Sequence, residues 1–235
     1  MASISKEEFL ARMPDSSQLV SEGRKIRPLL HYTQLATLVS ILEWWWRDRR
    51  EYCVCADLTI YYSRQQLRSR NFYGTDFFLV KGAEQRPRYS WVTWAEGSRY
   101  PVLVIELLSE ATAEIDRTVK FEIYQNILHV WEYFWFSPET LEFTGFRRPE
   151  KKYQKIEPNE KGWLWSGVLD LYLGVENGKL RYFTAGGEKV TPPDEDALIN
   201  KKLIELLAAR AEQEARRAER LTEKLREIEV SSGKI

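Results

Sequence analysis

Cysteine is nearly missing from this chain: Cys53 and Cys55 are the only two in 235 residues. That excludes a disulfide-stapled scaffold, and thiols at i and i+2 of one strand rarely bridge each other. Histidine is as scarce, with His31 and His129 alone. A cysteine–histidine zinc site therefore lacks ligands, and the pair reads as buried thiols in a reducing compartment. No apolar run reaches the roughly 20 residues that span a bilayer. The opening MASISKEEFLARMPDSSQ has no apolar signal core, so a cytoplasmic protein with no membrane partner is expected. Net charge is absent too, with 35 basic and 35 acidic residues. No chain-wide pull toward nucleic acid follows, only the option of local basic patches. A glycine-rich phosphate loop and a Gly-x-Ser-x-Gly elbow are both lacking, which removes support for a P-loop enzyme or a Ser–His hydrolase.

Apolar residues, by contrast, make up 43 % of the chain and aromatics 13 %, with nine tryptophans. That suffices for one core and argues against global disorder. Residues 30–48 place apolar side chains at 35, 38, 39, 42, 45 and 46, which is helical spacing. VCADLTIYY (54–62) and TDFFLVKG (75–82) read as strands, with a polar loop at 63–74 between them. VLVIELLS (102–109) lacks alternation and reads as a strand buried on both faces. Residues 112–127 have helical spacing, with Ile115, Val119, Ile123 and Ile127 as one stripe. HVWEYFWFSPETLEFTGFR predicts two strands joined at Ser-Pro-Glu-Thr, and Asn177-Gly178 predicts a type I′ hairpin. The order gives an α+β domain over 28–190, after an N-terminal extension (1–27) with a short helix at 5–13. From 195 to 230 the chain becomes rich in Ala, Glu, Arg and Leu. Ile204, Ala211, Ala218 and Leu225 recur every seven residues, as do Leu207, Glu214, Leu221 and Ile228. Two readings stay open for this helical tail: a coiled coil, or a single helix packed back on the domain.

Glu106 interrupts the apolar run VLVIELL. A buried carboxylate costs several kcal/mol unless it is paired or binds a metal. A buried ion pair would explain it if it stood alone. Asp76, however, opens the preceding strand, and adjacent strands would bring the two carboxylates together. A divalent cation relieves their repulsion, and hard oxygen ligands suit Mg²⁺ or Mn²⁺. Lys120 follows on the next helix, with Asp116, Lys120 and Tyr124 at i, i+4 and i+8 on one face. A surface Asp116–Lys120 pair is the plainer reading of that spacing.

At these residues the chain resembles the Uma-type restriction-endonuclease family of the PD-(D/E)XK nuclease superfamily. The resemblance covers roughly 28–190. It rests on LTIYYS, GTDFFLV, RPRYSWVTW, YPVLVIELLSEAT, DRTVKFEIYQ, EYFWFSPETLEF, GWLWSGVLDLYLGV and GKLRYFTAGGE together. It implies a restriction-endonuclease-like mixed central sheet flanked by helices. It also implies a metal-dependent endonuclease acting on DNA, with Asp76 and Glu106 as metal ligands and Asp76, Glu106 and Lys120 as the catalytic set. The superfamily lysine two residues after the acidic residue is Leu108 here, and Lys120 matches the place to which this family moves it. Thr75 replaces the proline before the aspartate, and Ser109-Glu110-Ala111-Thr112 replaces Ser-Pro-Ser-Thr. The alternative is an inactive binding or regulatory module that assembles through its tail. Resemblance and heptads together predict a homodimer.

Glu43 is a further candidate for the metal, with an exposed helix carboxylate as the plainer reading. Ser109 and Tyr124 are expected to line the site. Arg64, Arg68, Arg70, Arg86 and Arg88, and the cluster Arg147, Arg148, Lys151 and Lys152, are candidate phosphate contacts; solvated charge is the simpler account of each. Trp44, Trp45, Trp46, Trp131 and Trp135 are expected in the core.

Overall fold

The computed structural model describes residue 19 and residues 28–69 and 72–232. The helix expected at 5–13, Arg70 and the side chain of Arg68 lie outside the described residues.

The protein is an α+β domain around a seven-stranded mixed sheet. Its elements are α1 (Leu29–Trp45), β1 (Tyr52–Tyr61), α2 (Arg64–Ser69), β2 (Gly74–Lys81), β3 (Trp91–Val92) and β4 (Pro101–Leu107). There follow a helix α3 (residues 113–126), then β5 (Glu132–Phe136), β6 (Phe143–Arg147) and β7 (Gln154–Lys155). A second sheet holds β8 (Leu164–Ser166), β9 (Leu171–Glu176) and β10 (Lys179–Phe183), and α4 (Glu195–Ser232) ends the chain. The main sheet runs β3-β1-β2-β4-β5-β6-β7. β4 and β5 are parallel and joined through α3; β1 and the two-residue β3 are also parallel, and the other pairs are antiparallel.

The central strands are apolar on both sides because both faces are covered. Phe77, Leu79, Leu103, Ile105, Phe134 and Phe136 pack toward α1 and the second sheet. Phe78, Val80, Val104, Tyr133 and Trp135 pack on the opposite face, with Tyr124 and Phe121 of α3. α1 is itself a core helix, buried almost throughout from His31 to Leu42. Gln34 fixes it to the second sheet, its amide donating to the Leu180 carbonyl and accepting from the Leu180 N–H at 3.0 and 3.1 Å. Asn177 and Gly178 have φ of 51° and 74°, the left-handed pair that a type I′ hairpin between β9 and β10 requires. Among the described residues no helix is long and apolar enough to cross a membrane.

Two elements and the burial of two tryptophans differ from the sequence expectation. The segment read as a loop at 63–74 contains α2, whose first turn is capped by Ser63 Oγ accepting from the Gln66 N–H at 3.2 Å. Ser63-x-x-Gln66 has capping-box spacing, a signal present in the sequence. The helix α3 is a run of Ala113–Ile115, a π-helical turn Asp116–Lys120, and Phe121–Asn126. Its apolar stripe is only partly covered: Asp116, Lys120 and Tyr124 face the sheet, Val119 and Ile127 are 41 % and 50 % exposed, and Ile123 is half-buried against the core. Of the tryptophans, Trp46 and Trp135 are core, but Trp45 and Trp131 are exposed.

Candidate active site

Asp76 and Glu106 lie on neighbouring strands. The β2–β4 register pairs Phe77 with Ile105, so the next residues outward are these two carboxylates, on the face that α3 covers. Each closes the ladder with its side chain. The Asp76 N–H donates to Glu106 Oε2 at 3.2 Å, and the Leu107 N–H donates to Asp76 Oδ2 at 2.8 Å.

α3 brings the cation. Lys120 Nζ stands 3.0 Å from Glu106 Oε1 and 2.7 Å from Asp116 Oδ1. It also donates to the Gly74 carbonyl at 2.7 Å. An ammonium has three N–H donors, and here three acceptors surround it. The surface pair expected between Asp116 and Lys120 is thus made, but inside the protein and joined to Glu106. Tyr124, one turn on, donates its hydroxyl to Glu106 Oε1 at 2.5 Å. With that proton committed, Thr75 Oγ1, 3.0 Å away, is the donor to the phenol oxygen. Thr75, the departure from the family proline, therefore contributes a hydroxyl to the cluster. Tyr133 on β5 anchors the π turn, donating to the Asp116 carbonyl at 2.9 Å.

Asp76, Glu106, Asp116 and Lys120 are all 5 % exposed or less. Burial pushes the Asp116 carboxyl up; the Lys120 charge opposes this, the Glu106 charge adds to it, and the net direction is upward. Burial, and then the Glu106 charge, push the Tyr124 phenol well above its ordinary range, which keeps it a donor. A cavity of about 10 Å³ borders Lys120, Thr75 and Tyr124 and is also lined by Tyr62, Gln66 and Tyr73. That is room for about one water.

The donor chemistry fits a hard divalent ion held by two carboxylates, since Mg²⁺ commonly takes one or two plus waters and phosphate oxygens. It does not form a closed cage. Among the described residues no three acidic, histidine or cysteine side chains are arranged to hold an ion by themselves.

The remaining candidates lie elsewhere. Glu43 is on α1, which covers the other face of the sheet, and pairs with Lys202 of α4 at 2.8 Å. Arg86 and Arg88 both bind Glu96. Arg147 pairs with buried Glu132 on β5. Ser109 bonds Thr112 at the start of α3 rather than the cluster, and Arg64 is exposed. Cys53 and Cys55 are free, buried thiols, 3.5 Å apart.

Two buried acids were not singled out from sequence as parts of such clusters: Asp116, seen only as a helix partner, and Glu132. Glu132 accepts from Arg147 and from the N–H groups of Gly167 and Val168, and Ser166 Oγ donates to it. It is a saturated structural carboxylate tying the second sheet's first strand to β5.

The α+β domain thus carries two acids on adjacent strands, with a lysine from the crossover helix beside them. A family model described as "Uma2: Putative restriction endonuclease" matches residues 22–185, and the chain belongs to that family. A crystal structure of a nuclease of the DUF820 group from Anabaena variabilis, described there as putative, is 13 % identical and overlaps 71 % of this chain and 91 % of its own at a TM-score of 0.46. No curated protein matches the chain.

Proposed function

We propose that the protein is a cytoplasmic, metal-dependent endonuclease that hydrolyses DNA phosphodiester bonds, with Asp76 and Glu106 as ligands of Mg²⁺ or Mn²⁺ and Lys120 as the assisting cation. The observation that carries this is the meeting of Lys120 with Glu106 at 3.0 Å, beside Asp76 on the adjoining strand. The resemblance assigns roles to these three residues, and the fold brings them to one place from three separate elements. A bound ion would supply a nucleophilic water and offset charge on the phosphate. The chain's own groups do the rest. Asp116 and the Gly74 carbonyl hold Lys120 as a fixed positive charge next to the carboxylates, suited to countering the charge that grows on an attacked phosphate. Tyr124, kept protonated, fixes Glu106 Oε1 and leaves Oε2 turned toward Asp76.

The closed state of the cluster favours a second reading as well. Lys120 donates to the Gly74 carbonyl and is ion-paired with both Glu106 and Asp116, and the four charged side chains are buried. A module that keeps the fold without catalysis would look the same. Metal binding separates the two. In the first reading Mg²⁺ or Mn²⁺ raises the melting temperature of the wild-type protein, and Asp76→Asn abolishes the rise. A wild-type melting curve that neither ion moves supports the inactive module. DNA affinity that falls with salt is expected under both readings and decides nothing between them.

A further inference from the structure

The helix α4 carries two stripes, and only one is used by the domain. Ile199, Leu203, Leu206, Arg210, Gln213 and Arg217 turn toward the domain; Ile199 and Gln213 are buried and the other four half-buried. Lys202 reaches Glu43 of α1, and Glu212 and Arg216 bond Tyr89. The heptad stripe lies about a third of a turn further round, by 100° per residue. It faces solvent: Ile204, Leu221 and Leu225 are 68 %, 54 % and 60 % exposed, and Ala211 and Ala218 are exposed with them. So the tail is a helix packed on the domain, and its heptad stripe is directed away from the domain.

We propose that this seam is occupied by the α4 helix of a second copy of the chain, in a parallel two-stranded coiled coil. The charged edges beside the seam select the occupant and its direction. With Ile204, Ala211, Ala218 and Leu225 at a, the g edge is Arg210 and Arg217, half-buried where the seam borders the domain, and the exposed Lys224; the e edge is the small Ala208, Ala215 and Thr222. Beyond the e edge lie Glu205, Glu212 and Glu219. A parallel copy sets each basic g edge against a partner edge of small residues backed by glutamates. An antiparallel copy sets basic edge against basic edge, which repels. The one polar d residue, Glu214, is already neutralised by an ion pair with Arg210. A polar layer of this kind fixes register at some cost in stability.

The test uses the full chain. Light scattering of wild type gives twice the chain mass. The double variant Leu221→Asp, Leu225→Asp gives the single mass, with a dissociation constant raised by a factor on the order of a hundred or more and an unchanged domain melting profile. Ala218→Cys reports direction: on mild oxidation the introduced thiols cross-link across the seam, while wild type, whose two thiols are buried, does not. A wild-type chain that stays at its single mass at concentrations on the order of 100 µM overturns the proposal, as does a double variant that remains dimeric. Failure of Ala218→Cys to cross-link within a dimer overturns the parallel arrangement. None of these residues touches the Asp76–Glu106–Lys120 cluster, so either result leaves the nuclease reading standing.

Discussion

Two glutamates interrupt apolar strands of the same sheet, and their surroundings give them opposite meanings. Glu132 has one arginine, one hydroxyl and two backbone donors, so its charge is fully answered. Glu132→Ala strips Arg147 and both N–H groups of their acceptor, and urea denaturation should show a loss of about 3–5 kcal/mol. Glu106 shares one lysine with a second acid and adjoins a third. Three acids therefore gather around a single lysine. Asp116 makes the crowding measurable. Its carboxyl is raised above the usual 3.8 by burial, despite Lys120. The folded state thus holds a proton that the unfolded state releases, and stability falls as pH rises from 3.8 through the raised value. Urea midpoints of wild type should decline across that window; Asp116→Asn should flatten the decline, and an equal slope in the variant would refute the assignment. The sequence shows both glutamates as anomalies of one kind. It cannot tell them apart, because the answering charges come from residues 14 to 36 positions away that only the fold assembles.

At the scale of elements, α3 is where pattern and structure part. Its apolar stripe was legible, but half of it, Val119 and Ile127, is exposed, while Asp116, Lys120 and Tyr124 are buried. The reason is the π turn at Asp116–Lys120 together with a sheet face that already carries carboxylates: the polar side of the helix finds its partners inside. Such turns recur at functional sites. Deleting Thr118, an exposed residue within the turn, should restore ordinary helical pitch and rotate Lys120 away from either Asp116 or Glu106. Helix content by circular dichroism should hold while metal-dependent cleavage falls by about a hundredfold; a deletion variant that cuts as well as wild type would show that the turn does not position the lysine. β1, β2 and β4 were readable because long apolar runs need two covered faces. β3 and β8 were not, being two and three residues long, too short for any periodicity to register.

At the scale of the molecule, the chain joins a two-sided sheet, a smaller sheet clasped by α1, and a helix that extends beyond both. The neutral overall charge leaves recognition to local geometry. Arg86, Arg88 and Arg147, candidates for phosphate contact, are spent on Glu96 and Glu132. The proposed hydrolytic centre consists of three side chains, from β2, β4 and α3. The most direct test is nicking of supercoiled plasmid in Mg²⁺ or Mn²⁺ against a chelator control, with wild type beside Asp76→Ala, Glu106→Ala and Lys120→Ala, each verified as folded. The account predicts ion-dependent nicking by wild type alone. Folded wild type that leaves the plasmid intact in both ions, or Lys120→Ala that nicks at the wild-type rate, would contradict it.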